Sequence, residues 1–101
     1  MAWVKVAALE DIPEEGGHVV RVEDEPFAIF RTETGAYCAI ENACPHMGLP
    51  LHTSKLSGNI VTCTHHGLPF DVETGKCTRF AFYSLKRFDA KAEDGAIWLD
   101  I

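Results

Sequence analysis

The sequence predicts an all-β fold. Short runs of alternating or β-branched residues recur along the chain, Gly- and Pro-containing turn signals separate them, and no window holds a sustained 3.6-residue apolar period. With 101 residues, 47% hydrophobic and 24% charged, the chain is sized for one compact domain with a single core. A separate catalytic domain would not fit beside it.

The strand-length runs are, in order, WVKVA (3–7), HVVRV (18–22), FAIFRT (27–32), AYCAI (36–40), NIVTC (59–63), PFDV (69–72) and AIWLD (96–100). Between them stand EEGG (14–17), EDEP (23–26), TETG (32–35), LSGN (56–59), VETG (72–75) and EDG (93–95). Each of these offers a Gly for a positive φ or a Pro that fixes φ, as hairpins require. One segment breaks the rhythm: residues 41–57 hold two Pro, a Gly and two His but no clear strand. A loop of this length inside a compact domain is usually functional.

Nine Lys and Arg against fifteen Asp and Glu leave a formal charge of −6. That balance argues against a nucleic-acid surface, and it either favours a basic protein partner or simply keeps the chain soluble. The first residues, MAWVKVAALEDIP, contain no apolar run long enough for a signal h-region or a membrane span, so a cytoplasmic protein is expected. In a reducing compartment Cys38, Cys44, Cys63 and Cys77 are expected to be thiols or metal ligands, not disulfides.

Two of these cysteines have histidine neighbours. Cys44 and His46 are two apart, Cys63 and His66 three apart, and sixteen residues separate His46 from Cys63. Two loops that each supply one thiolate and one imidazole can close a four-ligand site from two directions. Gly48 and Gly67 follow the pairs and are expected to let backbone N–H groups approach a metal or bridging sulfide closely. Two Cys and two His suit either an iron–sulfur cluster or a structural zinc, although zinc fingers pair Cys with Cys and His with His. No nucleophile–base pair, phosphate loop or dinucleotide fingerprint is present.

The pattern Cys44-Pro45-His46-Met47-Gly48 with Cys63-Thr64-His65-His66-Gly67 resembles the Rieske iron–sulfur family, and FDVETGK (70–76) is similar to that family's usual continuation. Length and strand pattern resemble its small soluble ferredoxins, such as the ferredoxin component of bacterial ring-hydroxylating dioxygenase systems. The resemblance implies one domain over 1–101, an antiparallel β-sandwich or barrel base with a cluster-binding subdomain inserted at about 42–70. It implies one [2Fe–2S] cluster, with Cys44 and Cys63 on the inner iron and His46 and His66 on the outer. It further implies a monomeric electron carrier, not an enzyme, that takes electrons from an NAD(P)H-dependent flavoprotein reductase and passes them to a terminal oxygenase. A zinc-stabilised interaction module and a Rieske subunit fixed in another oxidoreductase are the alternatives.

Departures from the family pattern are informative. High-potential members brace the cluster loops with a disulfide whose positions correspond to Leu49 and His65, and bond the sulfurs through hydroxyls whose positions correspond to Leu68 and Phe70. Neither device is possible here, which implies a potential at the low end of the Rieske range, about −150 mV. The family's Pro-containing covering loop corresponds to residues 77–88, which lack Pro and Gly. Phe80, Phe82 and Tyr83 either cover the site in its place or are plain core. Met47, Leu49 and Leu68 either shield the cluster or form an apolar docking rim. Cys38 and Cys77 are expected to be buried thiols, and His18 and His52 to be non-ligands.

Overall fold

The computed structural model describes residues 2–13, 16–43, 50–51, 56–63, 67–80 and 82–101. Among them the strands are β1 (Trp3–Ala8), β2 (Gly17–Val22), β3 (Glu25–Arg31), β4 (Tyr37–Glu41), β5 (Ile60–Thr62), β6 (Pro69–Asp71), β7 (Arg87–Glu93) and β8 (Ala96–Asp100), with one short 3-10 turn at Leu9–Asp11. The all-β expectation holds. Six strands form one antiparallel sheet in the order β1-β8-β7-β4-β3-β2, and β5 pairs with β6 in a second. The larger sheet curls so that its edge strands β1 and β2 approach each other, giving a barrel-like base.

Seven of these strands lie on the runs read from sequence, but β7 was not among them. Its sequence RFDAKAE alternates in part, yet after Phe88 only Ala90 packs against the core while Ala92 is exposed, and Asp, Lys, Glu and Ala are poor strand formers. Pairing on both sides places it: Phe88 sits opposite Ala39 of β4, and Lys91 opposite Trp98 of β8. The EDEP signal also works differently from the expectation. The β2–β3 hairpin turns at Glu23 and Asp24, both at positive φ (51° and 68°), while Pro26 lies inside β3 opposite Arg21.

Strand alternation sorts the interior into two cores. Phe27 and Ile29 of β3 and Ala39 of β4 face one way, joining Val20, Ile97 and Leu99 inside the barrel. Ala28 and Phe30 of β3, with Cys38 and Ile40 of β4, face the other way and pack against Leu51, Val61, Cys63, Leu68, Phe70, Val72, Cys77 and Leu85. The β3–β4 hairpin is thus buried on both faces, as its near-continuous apolar sequence requires. The chain leaves the large sheet after Glu41 and rejoins it at Arg87, directly beside β4. Everything that packs on the second core's outer side comes from that excursion.

Candidate metal centre

The two loops expected to carry the ligands adjoin the second core, which includes Leu51 at the end of the first and Cys63 at the start of the second. At the first, Asn42 Oδ1 accepts the backbone N–H of Leu51 at 2.8 Å, and both residues are buried. The hydrogen bond ties the two ends of the loop that holds Cys44 and His46. At the second, Cys63 follows β5 and is fully buried. Its N–H donates to the Leu68 carbonyl and its own carbonyl accepts from Gly67, each at 2.9 Å, which closes the 63–68 turn over the β5–β6 hairpin.

Cys63 Sγ therefore enters an apolar cluster shared with Leu51, Leu68 and Phe70. Of the four expected ligands it is the one the structure describes; Cys44, His46 and His66 lie outside the described residues, as do His65, Met47, Gly48, Leu49 and His52. What is described fits an iron–sulfur cluster: a thiol at a dry loop base, beside a second loop base that converges on the same core. Leu68 and Phe70 are buried in that core and bring no hydroxyl to it.

Gly67 has a conformational role. Its N–H is committed to the Cys63 carbonyl, and glycine is required there by a φ of +68°, a left-handed conformation that disfavours side chains. Asn42 carries a role that sequence reading missed, because one polar residue after an apolar strand gives no sign of a partner nine residues away.

Residues 75–80 and 82–85 form the two legs of a strap beside β6. Leu85 N–H donates to the Gly75 carbonyl (2.6 Å), Cys77 N–H to Tyr83 (3.2 Å), and Tyr83 N–H to Phe80 across the tip (3.2 Å). Asp71 N–H donates to Lys76, and Thr78 N–H to Pro69, both at 2.9 Å, so the strap runs antiparallel to β6. That direction sets its tip beside Leu68 and Pro69, at the end of the hairpin that carries the Cys63 loop. Cys77 and Leu85 anchor it in the core. Phe80 and Phe82 are not core, being 40% and 77% exposed; with Tyr83 they form a mutually packed trio, ring centroids 4.6 to 6.3 Å apart.

Cys38 and Cys77 are buried and unpaired. Burial pushes the Cys38 thiol above its usual range, Glu73 and Asp71 add to this, and Arg87 opposes it. Cys38 does not have the environment of an activated thiolate.

The family model for the Rieske [2Fe-2S] domain matches residues 2–88. The chain belongs to the Rieske [2Fe–2S] domain family. A Rieske domain carries one such cluster, held by two Cys and two His. This Rieske domain is 32% identical over 99 residues to the ferredoxin component of the naphthalene 1,2-dioxygenase/salicylate 5-hydroxylase systems of a Ralstonia species, covering 96% of the chain and 93% of the relative. It superimposes with a TM-score of 0.83 on a chain from the complex of reduced oxygenase and oxidized ferredoxin in carbazole 1,9a-dioxygenase, at 28% identity over 96% of this chain and 91% of that one. The Sphingomonas yanoikuyae B1 ferredoxin shares the fold, with a TM-score of 0.87, 22% identity and 99% of both chains covered. Other curated relatives, at 34–36% identity, are much longer, and the Rieske domain spans only 13–24% of their length. Among the described residues, no helix is long and apolar enough to cross a membrane.

Proposed function

We propose that this Rieske domain is a one-electron carrier that accepts electrons from an NAD(P)H-dependent flavoprotein reductase and delivers them to a terminal oxygenase, of the class that hydroxylates aromatic rings. Cys44 and Cys63 would hold the inner iron and His46 and His66 the outer, within a cluster-binding subdomain of about 42–70 set on the barrel base of a single domain. The carrier works as a cytoplasmic monomer with no nucleic-acid role. The observation that carries this reading is the convergence of both ligand-loop bases, Asn42–Leu51 and Cys63, on one apolar core. The nearly end-to-end likeness to a ferredoxin component supports it.

When bound, the cluster supplies a one-electron couple whose potential two neutral imidazoles raise above that of an all-cysteine cluster. The chain does the rest. Leu51, Leu68 and Phe70 keep water from Cys63, the Asn42 bridge fixes the spacing of the first loop, and the Cys63–Leu68 turn fixes the second. Little has to rearrange as the charge changes, which favours fast transfer.

The test is reconstitution: NADH, a flavoprotein reductase and the terminal oxygenase of a naphthalene 1,2-dioxygenase system, with that system's own ferredoxin omitted. Added holoprotein should restore NADH-driven substrate oxidation in proportion to its concentration. If its cluster stays oxidised under NADH and reductase, the carrier reading fails.

A further inference from the structure

The chain's charge is unevenly distributed. Four of its nine Lys and Arg, and none of its fifteen Asp and Glu, lie between Lys76 and Arg87, so the remainder holds five cations against fifteen acids. The strap holds Lys76 and Arg79, and Lys86 and Arg87 follow directly after it. Arg87 is engaged with Asp89 at 3.2 Å, but Lys76, Arg79 and Lys86 are exposed and in no ion pair among the described residues.

Two of these cations flank the ligand loops. Arg79 is in the strap tip, beside Pro69 and the Cys63 turn, since Thr78 N–H bonds the Pro69 carbonyl. The Lys86 carbonyl accepts from Glu41 N–H, one residue before Asn42 opens the first loop. Phe80 and Phe82 follow Arg79 at the strap tip, and both are exposed. Two exposed aromatic rings next to Arg79 have the make-up of an interface anchor, not of a solvated surface, and the Glu41 carboxylate, which accepts the Lys86 backbone N–H at 3.0 Å, leaves Arg79 as the cation closest in sequence to the rings.

We propose that the strap is the docking surface for an acidic redox protein: Phe80 and Phe82 seat in an apolar recess of the partner, and Arg79 and Lys86 meet carboxylates on its rim. This rests on the electron-carrier reading and reverses the partner charge that the net −6 suggests. A local field within a Debye length of the contact, about 10 Å at 0.1 M salt, governs the final approach, whereas the distant acids are screened.

The test uses oxidised holoprotein and a reduced acidic plant-type ferredoxin, whose potential lies below that of Rieske centres. One electron leaves the plant-type cluster and enters this one, followed by stopped-flow absorbance. The rate should fall as salt rises, about tenfold from 0.01 to 0.3 M. Arg79→Glu/Lys86→Glu should slow it about tenfold at low salt and invert the salt dependence, and Phe82→Ala, remote from the core, should weaken saturation about fivefold. Lys5→Glu, on β1, should leave the sign of the salt dependence as it is. A wild-type rate that rises with salt, or strap variants that behave as wild type, would overturn the docking surface while leaving the carrier intact. Absence of any electron uptake, even from dithionite, would instead overturn the carrier reading on which it stands.

Discussion

Asn42 Oδ1 and the backbone N–H of Leu51 are 2.8 Å apart in a buried setting, and they bracket the loop proposed to carry Cys44 and His46 as ligands. Replacing Asn42 by Ala leaves that N–H buried without its acceptor, at a cost of about 1–3 kcal/mol. Urea denaturation of the holoprotein should show the loss, and visible absorbance should show faster release of the cluster. Wild-type stability and cluster retention in Asn42→Ala would mean the loop is held by other contacts.

The two ETG turns look alike in sequence but differ in packing, and glycine substitutions separate conformation from crowding. Gly67→Ala and Gly75→Ala both force alanine into a left-handed backbone, φ +68° and +79°. At Gly67 a Cβ meets no described atom within 4 Å, so the cost should be about 1 kcal/mol. At Gly75 a Cβ presses on the Leu85 carbonyl oxygen and would pry the two legs of the strap apart, so about 3 kcal/mol is expected. Gly35, in the first ETG turn, has open space around it and should resemble Gly67. Equal losses at Gly67 and Gly75 would show that the strap yields freely.

The Glu23-Asp24 turn is held at positive φ by residues that resist it. Asn-Gly at these positions suits a two-residue hairpin turn and should stabilise the protein by about 1 kcal/mol. Thermal unfolding would reveal it, and a lower Tm would contradict the assigned geometry.

Burial raises the Cys38 pKa, with Glu73 and Asp71 adding to it. Because the folded value lies above the unfolded one, the fold's advantage from this thiol is complete at neutral pH and is lost as pH climbs beyond the ordinary thiol range. Stability should therefore decline in alkali, and Cys38→Ser should blunt the decline. Iodoacetamide should label Cys38 slowly at neutral pH until the protein is unfolded.

The midpoint potential should lie near −150 mV, because Leu68 and Phe70 offer no hydroxyl to the cluster sulfurs. Voltammetry giving a value well above zero would mean that backbone N–H donors stabilise the added charge instead.

Legibility from sequence followed the strength of local signals. The β3–β4 hairpin announced itself by two apolar runs, FAIFRT and AYCAI, joined by a Gly turn, whereas β7 was hidden because Ala90 and Ala92 bury little and only pairing to β4 and β8 makes them a strand. Cys63 was marked by its loop motif, and its dry setting agrees with that. Asn42 was not, since its partner is nine residues away, and the strap's exposed rings were not, since Phe80 and Phe82 at that spacing read more readily as core. Exposure there is set by anchors at Cys77 and Leu85, a tertiary property.

The central claim, a Rieske cluster held by Cys44, His46, Cys63 and His66, is tested most directly by the EPR spectrum of the dithionite-reduced protein in wild type, His66→Ala and His65→Ala. The wild type and His65→Ala should give the Rieske signal, with equal iron and acid-labile sulfide, and His66→Ala should give none. A colourless wild-type protein with stoichiometric zinc, or a signal that survives loss of His66 but not of His65, would contradict it.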